Sequence, residues 1–165
     1  SFTSFNIHAQ HSGEASELAK TIPIADAHMH TYSRGGPSSS AFLEQMDKNN
    51  VRWGGAVGDY RADVADKLKE RYIPAIGQIE FMEVFFSRGT SGLIDEENWT
   101  FKRLFKNAEE KFANGSVKGF GELHSDNHLS GPPNIRRTIR TDSPAIRKMY
   151  EIANKYNGFI QIHSQ

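Results

Sequence analysis

The chain has 165 residues, and its 20 basic and 20 acidic side chains leave no formal net charge at pH 7. This balance gives no electrostatic reason to expect nucleic acid or an anionic membrane as a partner, and no apolar run is long enough to span a bilayer. Cysteine is absent, which excludes disulfides, thiol nucleophiles and thiolate metal sites. Imidazole and carboxylate groups would therefore have to hold any metal.

The first 20 residues read as a polar lead-in, and residues 21–165 read as one domain. The lead-in contains no charged-then-apolar leader of the kind that directs secretion. A chain that starts at Ser1 suits a processed exported protein or a trimmed cytoplasmic one. The sequence therefore leaves the localisation open.

The first predicted strand, Ile22 to His30, carries Asp26, His28 and His30 at alternating positions. Successive strand residues point to opposite faces, so these three side chains should project from one side. Two imidazoles and a neighbouring carboxylate are typical of a metal site. The small and aliphatic residues between them indicate a strand buried on both faces, where imidazoles without partners would be costly.

The rest of the chain alternates short apolar runs with helical patterns, which predicts repeated βα units and a parallel sheet. Further strands are predicted at Val51 to Val57, Tyr72 to Ile79, Val117 to Leu123 and Phe159 to His163. Helices are predicted at Ser40 to Asn50, Arg61 to Arg71, Asp95 to Asn114-Gly115 and from Ser143-Pro144 to Gly158. The stretches Phe81 to Gly92 and Ser125 to Thr141 are predicted to be long connections at the substrate side of the sheet.

Polar residues follow several of these strands. Glu122 and His163 lie at the ends of the fourth and fifth predicted strands, and such residues meet at one rim when a parallel sheet closes into a barrel. His124, Asp126 and His128 follow Glu122, and we expect them to contact substrate rather than metal. Other polar residues that could contact substrate, support the site or form a solvated rim are Asp59, Arg61, Gln78 and Glu80.

Three motifs together resemble the metal-dependent amidohydrolase superfamily. They are Asp26-Ala-His28-Met-His30, Gly121-Glu122 and Ile162-His163-Ser164. The run Thr141 to Tyr150 before a strand that ends in His is similar to the amidohydrolase-2 type, and the Gly-Glu strand also resembles TatD-like hydrolases. The resemblance spans about Ile22 to Gln165.

The resemblance implies a (β/α)8 TIM barrel, of which this chain would supply about the first five strands, with one or two divalent cations at the barrel mouth. It implies that His28 and His30 bind the first cation, that Glu122 is a ligand or a bridge, and that His163 binds the second cation or completes a mononuclear site. Glu122 and His163 are then the expected catalytic residues. Asp26 would support the histidines. Zinc is the favoured ion, and manganese also fits.

The chain departs from the family in its length. A barrel of this type takes roughly 250 residues, and the later histidine and the aspartate general base of the family have no counterpart in this sequence. We therefore expect the chain to be the N-terminal part of a longer protein, with a short complete homologue as the alternative.

The function predicted on these grounds is metal-dependent hydrolysis of an amide, ester or lactone bond in a small substrate. A metal-dependent decarboxylase of the same superfamily is one alternative. A catalytically silent binding or assembly module is another, if the chain is complete. A nuclease is disfavoured by the neutral charge balance. The expected partner is a small molecule, and homo-oligomer formation stays open.

Overall fold

The structure is a computed structural model that describes residues 17–18, 20–32, 35–129 and 131–164. The predicted lead-in, residues 1–20, lies mostly outside the described residues. The strands are β1 (Ile24–His30), β2 (Val51–Val57), β3 (Tyr72–Ile73), β4 (Ala75–Gly77), β5 (Gly119–His124) and β6 (Phe159–His163). The helices are α1 (Ser39–Lys48), α2 (Ala62–Leu68), α3 (Gln78–Leu93), α4 (Trp99–Ala113) and α5 (Pro144–Lys155), with short 3-10 helices at Lys69–Arg71 and Pro133–Ile135.

The α/β class is confirmed, but the prediction of a partial TIM barrel is wrong. The strands form two three-stranded parallel sheets, in the orders β1-β2-β3 and β4-β5-β6. Pro74 separates β3 from β4 within the run that was predicted as one strand. Proline has no N–H to donate to a ladder, and the pairing partner changes at this point: Tyr72 pairs with Gly54 of β2, whereas Ala75 pairs with Gly119 of β5.

In the structure, the last strand of this run, β4, also ends earlier than the sequence predicts, at Gly77. The predicted strand reaches Ile79, but helix α3 begins at Gln78 and covers the whole of the stretch Phe81 to Gly92 that is predicted as a long connection. The helix is kinked at Gly89, where φ is 65° and ψ is −162°. A residue with a side chain rarely adopts this backbone conformation, so glycine suits the kink.

Strand β1 does not have the buried environment that its composition indicated. It lies at the edge of its sheet, pairs only with β2 and is mostly exposed. Its register against β2 shifts between Asp26 and Met29, which is a bulge-like irregularity. The end of the strand therefore presents its imidazoles to an open side of the molecule.

Two apolar clusters hold the elements together. The larger packs α3, α4 and α5 on β4 and β5, with Phe81, Phe101, Phe120 and Leu123 fully buried. The smaller lies between α1, α2 and the first sheet, around Met46 and Val64. Within the described ranges, no helix combines the length and apolar character needed to cross a bilayer.

The larger apolar cluster should contribute most of the hydrophobic stabilisation of the fold. We expect Phe101→Ala to lower the free energy of unfolding by about 3–5 kcal/mol, because truncation of a fully buried ring leaves a cavity. Phe86, which is 65% exposed on α3, gives a matched control, and Phe86→Ala should change this free energy by less than about 0.5 kcal/mol. Urea unfolding followed by circular dichroism measures both. Equal losses in the two variants would contradict this assignment of the core.

Candidate metal centre

Glu122 is the central side chain of the candidate site. It lies on β5, and only 4% of the residue is exposed. Its Oε1 accepts a hydrogen bond from His163 Nδ1 at 2.6 Å, and its Oε2 lies 3.3 Å from His124 Nε2 and 3.8 Å from His28 Nε2. Burial alone would raise the pKa of Glu122, but the hydrogen bonds and charges of His124 and His163 bring it from 4.5 to about 2. The carboxylate is therefore ionised at neutral pH.

The two sheets come close together beside this carboxylate. A Cβ atom added to Gly121 would lie 2.9 Å from the carbonyl oxygen of Ala56 on β2 and 2.9 Å from Cβ of Gln161 on β6. Only glycine leaves room for this approach. Since β1 pairs with β2, the close approach brings the imidazoles of β1 to the side chain of the next residue, Glu122.

His28 and His30 lie at the C-terminal end of β1, as the sequence predicted. Their ring centroids are 5.0 Å apart, and the rings are in an edge-on arrangement. His30 Nδ1 lies 2.9 Å from the hydroxyl of Tyr32. Partial burial, followed by the charge of His28, lowers the pKa of His30 below 6.5, which favours the neutral imidazole that a metal requires.

His124 and His163 also surround Glu122, and His124 approaches the same carboxylate oxygen, Oε2, as His28. His124 and His163 pair directly in the register of β5 and β6, and their rings stack with centroids 4.5 Å apart. Because the ionised Glu122 can only accept, the proton in its bond with His163 sits on Nδ1. In a neutral imidazole with this tautomer, Nε2 of His163 is the acceptor nitrogen, and this atom is buried without a hydrogen-bond partner among the described residues.

These residues form two overlapping groups that could hold a metal ion. One is His28, His30 and Glu122, and the other is Glu122, His124 and His163. In each group one ligand atom per residue lies within 4.8 Å of the others. We call the five residues together the His/Glu cluster. Glu122 belongs to both groups.

Two glutamines support the imidazoles. Gln161 Nε2 on β6 donates to the carbonyl oxygen of Ala27 at 3.0 Å and lies 3.0 Å from His28 Nδ1. Gln78 Nε2, at the start of α3, donates to the hydroxyl of Tyr32 at 3.0 Å and lies 3.0 Å from His124 Nε2. Gln161 thus contacts the ring nitrogen of His28 that does not face Glu122, as the partners that orient metal-binding histidines do, whereas Gln78 contacts the same nitrogen of His124 that faces Glu122.

The structure therefore brings all four predicted metal ligands together, namely His28, His30, Glu122 and His163. It adds His124, which was assigned to substrate contact because the fourth strand was ended at Leu123. The strand in fact continues to His124, and alternation from Glu122 would have found this residue. Gln78, one of the residues predicted to contact substrate, support the site or form a solvated rim, lies beside the cluster, at the start of a helix and not at a strand end.

The other predicted polar residues lie outside the cluster. Asp26 Oδ1 accepts from the backbone N–H of His28 at 2.9 Å, so it shapes the β1 backbone and does not touch an imidazole. Asp126 accepts from His128 at 2.6 Å and from Thr138 at 3.0 Å. Neither Asp126 nor His128 belongs to a metal group in the part of the chain that the structure describes.

Arg61 and Glu80 likewise have roles away from the cluster. Arg61 forms a two-pronged ion pair with Asp63 and donates to the carbonyl oxygen of Pro37 at 2.7 Å. Burial raises the pKa of Glu80 on α3. Asp59 accepts a hydrogen bond at its backbone oxygen from the Thr31 hydroxyl at 2.8 Å.

Comparison with protein-family models, with curated proteins and with solved structures gave no match. The resemblance to amidohydrolases therefore rests on the motifs alone.

The lowered pKa of Glu122 predicts how the free energy of unfolding changes at acidic pH. A carboxyl whose folded pKa lies below its unfolded value stabilises the fold above pH 4.5, and this stabilisation is lost as pH falls through about 2. We expect metal-free Glu122→Gln to be less stable than the wild type at pH 5, with the difference shrinking toward pH 2. Urea unfolding at several pH values measures it. A difference that stays constant or grows on acidification would contradict the assignment.

Proposed function

We propose that the protein is a metal-dependent hydrolase that binds a divalent cation at the His/Glu cluster and cleaves an amide, ester or lactone bond of a small substrate. The observation that carries the proposal is the convergence of four imidazoles from three strands on one buried, ionised carboxylate. A purely structural role needs no such concentration of ligand groups.

The chemistry of the donor set supports a metal ion. Imidazole nitrogen and carboxylate oxygen suit zinc, and also manganese, and the chain has no thiolate to compete. Among the described residues, the buried Nε2 atom of His163 has no hydrogen-bond partner, and a neutral imidazole would offer the lone pair of this atom to a cation. Since both groups share Glu122, the residues of either group could hold one ion, and the two groups together could hold two ions with Glu122 in common.

The bound cation would supply Lewis acidity, which polarises a carbonyl and activates water at neutral pH. The residues of the chain provide the rest. Glu122 offsets the positive charge and, through the bond from Nδ1, keeps His163 in the tautomer that presents Nε2. His28 has a side chain 53% exposed, whereas that of Glu122 is 5% exposed. A small substrate can therefore reach the cluster from the β1 side, while Glu122 and His163 stay in place as candidate catalytic residues.

Metal binding is the first test. Wild-type protein stripped with chelator and titrated with zinc should bind it, and the double variant His28→Ala, His30→Ala should bind about 100-fold more weakly or not at all, because half of the imidazoles are lost. His128→Ala is the matched control, since His128 lies outside the cluster. Isothermal calorimetry and elemental analysis measure the affinity and the stoichiometry. Equal binding by wild type and double variant would reject an ion held by His28, His30 and Glu122, and equal binding by wild type and Glu122→Gln, which alters both groups, would reject the whole cluster.

Hydrolysis is tested separately. The metal-loaded protein should hydrolyse members of a panel of small esters, lactones and amides, and chelation should abolish and metal should restore this activity. Glu122→Gln should lose about 100-fold or more in kcat/KM, whereas His128→Ala should retain it. Release of carbon dioxide instead of acid and alcohol products would identify a decarboxylase. Tight metal binding without turnover of any substrate class would favour a binding module and contradict the hydrolase proposal.

A further inference from the structure

The phenolic hydroxyl of Tyr32 connects the two groups of the His/Glu cluster, although Tyr32 is not one of the ligand residues. Tyr32 follows β1, and its Oη atom lies 2.9 Å from Nδ1 of His30, which belongs to the first group. Gln78 Nε2 donates to the same oxygen at 3.0 Å and lies 3.0 Å from Nε2 of His124, which belongs to the second group. One hydroxyl is therefore linked to an imidazole of each group.

The open side of the cluster gives a substrate access to this hydroxyl. His30 is exposed and Tyr32 is half-buried, whereas Gln78 is only 2% exposed. Gln78 therefore contacts the hydroxyl from the interior of the protein, and His30 contacts it at the surface. A small molecule that reaches the imidazoles of β1 from solvent also meets the Tyr32 hydroxyl.

The hydrogen bonds of Tyr32 leave its own proton without an acceptor once the site holds a cation. Gln78 already donates to the phenolic oxygen. A cation in the first group would take His30 through Nε2, because Nδ1 faces Tyr32, and a neutral imidazole bound in this way carries its proton on Nδ1. That proton is donated to Tyr32, whose oxygen then accepts two hydrogen bonds. Its O–H group has no further acceptor among the described residues.

We propose that Tyr32 is a substrate-binding residue and that its hydroxyl donates a hydrogen bond to the carbonyl oxygen of an ester, lactone or amide substrate. This oxygen gains negative charge as water adds to the carbonyl carbon, so a fixed donor stabilises the transition state more than the substrate. Gln78 and His30 hold the phenolic oxygen from two sides, and the proton stays on Tyr32 throughout. The assignment rests on the proposed hydrolase function and adds a substrate contact to the same site.

Tyr32→Phe in zinc-saturated protein tests this role, because it removes only the hydroxyl. We expect kcat/KM for a small ester to fall about 100-fold, mainly through kcat. We also expect calorimetry to show about tenfold weaker binding of phenylphosphonate, whose charged tetrahedral oxygens resemble those of the transition state. Tyr150→Phe is the matched control, because it removes a hydroxyl from an exposed tyrosine on α5, outside the cluster. It should behave as the wild type in both measurements.

Several results would overturn the assignment of Tyr32. They are wild-type kcat/KM and phenylphosphonate affinity in zinc-saturated Tyr32→Phe, equal losses in Tyr32→Phe and Tyr150→Phe, failure of the zinc-loaded wild type to bind phenylphosphonate, and a loss that excess zinc restores. The last result would mean that Tyr32 acts only by holding His30. All four leave the hydrolase proposal intact, because that proposal is judged on zinc binding and hydrolysis by the wild type. Absence of either in the wild type would reject both proposals.

Discussion

The structure of the candidate site depends on one buried carboxylate. Glu122 is almost inaccessible to solvent and still ionised, and an isolated charge in that position would cost several kcal/mol. His124 and His163 make the ionised form favourable, and the four imidazoles of the cluster are held by the ends of three strands, β1, β5 and β6. Removal of Glu122 would leave His163 and His124 without the acceptor that orients them, so the carboxylate organises the cluster as well as contributing to it.

The backbone makes this convergence possible. Parallel strands end at the same edge of a sheet, which brings His124 beside His163 and sets His28 and His30 at the end of β1. The two sheets are separate hydrogen-bonded units, and they come close where Gly121 faces Ala56 and Gln161. The cluster lies across this junction. Gln161, which reaches from β6 to Ala27 and His28, ties the two sheets together at the same place.

The sequence predicted the members of the His/Glu cluster better than it predicted the architecture. His28, His30, Glu122 and His163 could be found because alternation and strand ends are local signals, and β2 and β6 have the predicted bounds. His124 was missed because the observed strand β5 continues one residue beyond Leu123, where the predicted strand ends. The division into two sheets depends on strand pairing on either side of Pro74. The segment before Pro74 pairs with β2, and the segment after it pairs with β5. That pairing is a tertiary property, and periodicity within one segment does not contain it.

The most direct measurement of the central claim is X-ray absorption spectroscopy of the zinc-loaded protein. The account predicts nitrogen and oxygen ligands at about 2.0–2.1 Å, with the multiple-scattering pattern of at least two imidazoles, and a loss of imidazole scattering in the His28→Ala, His30→Ala variant. A zinc ion coordinated by solvent oxygen alone, or a spectrum that this variant leaves unchanged, would contradict it.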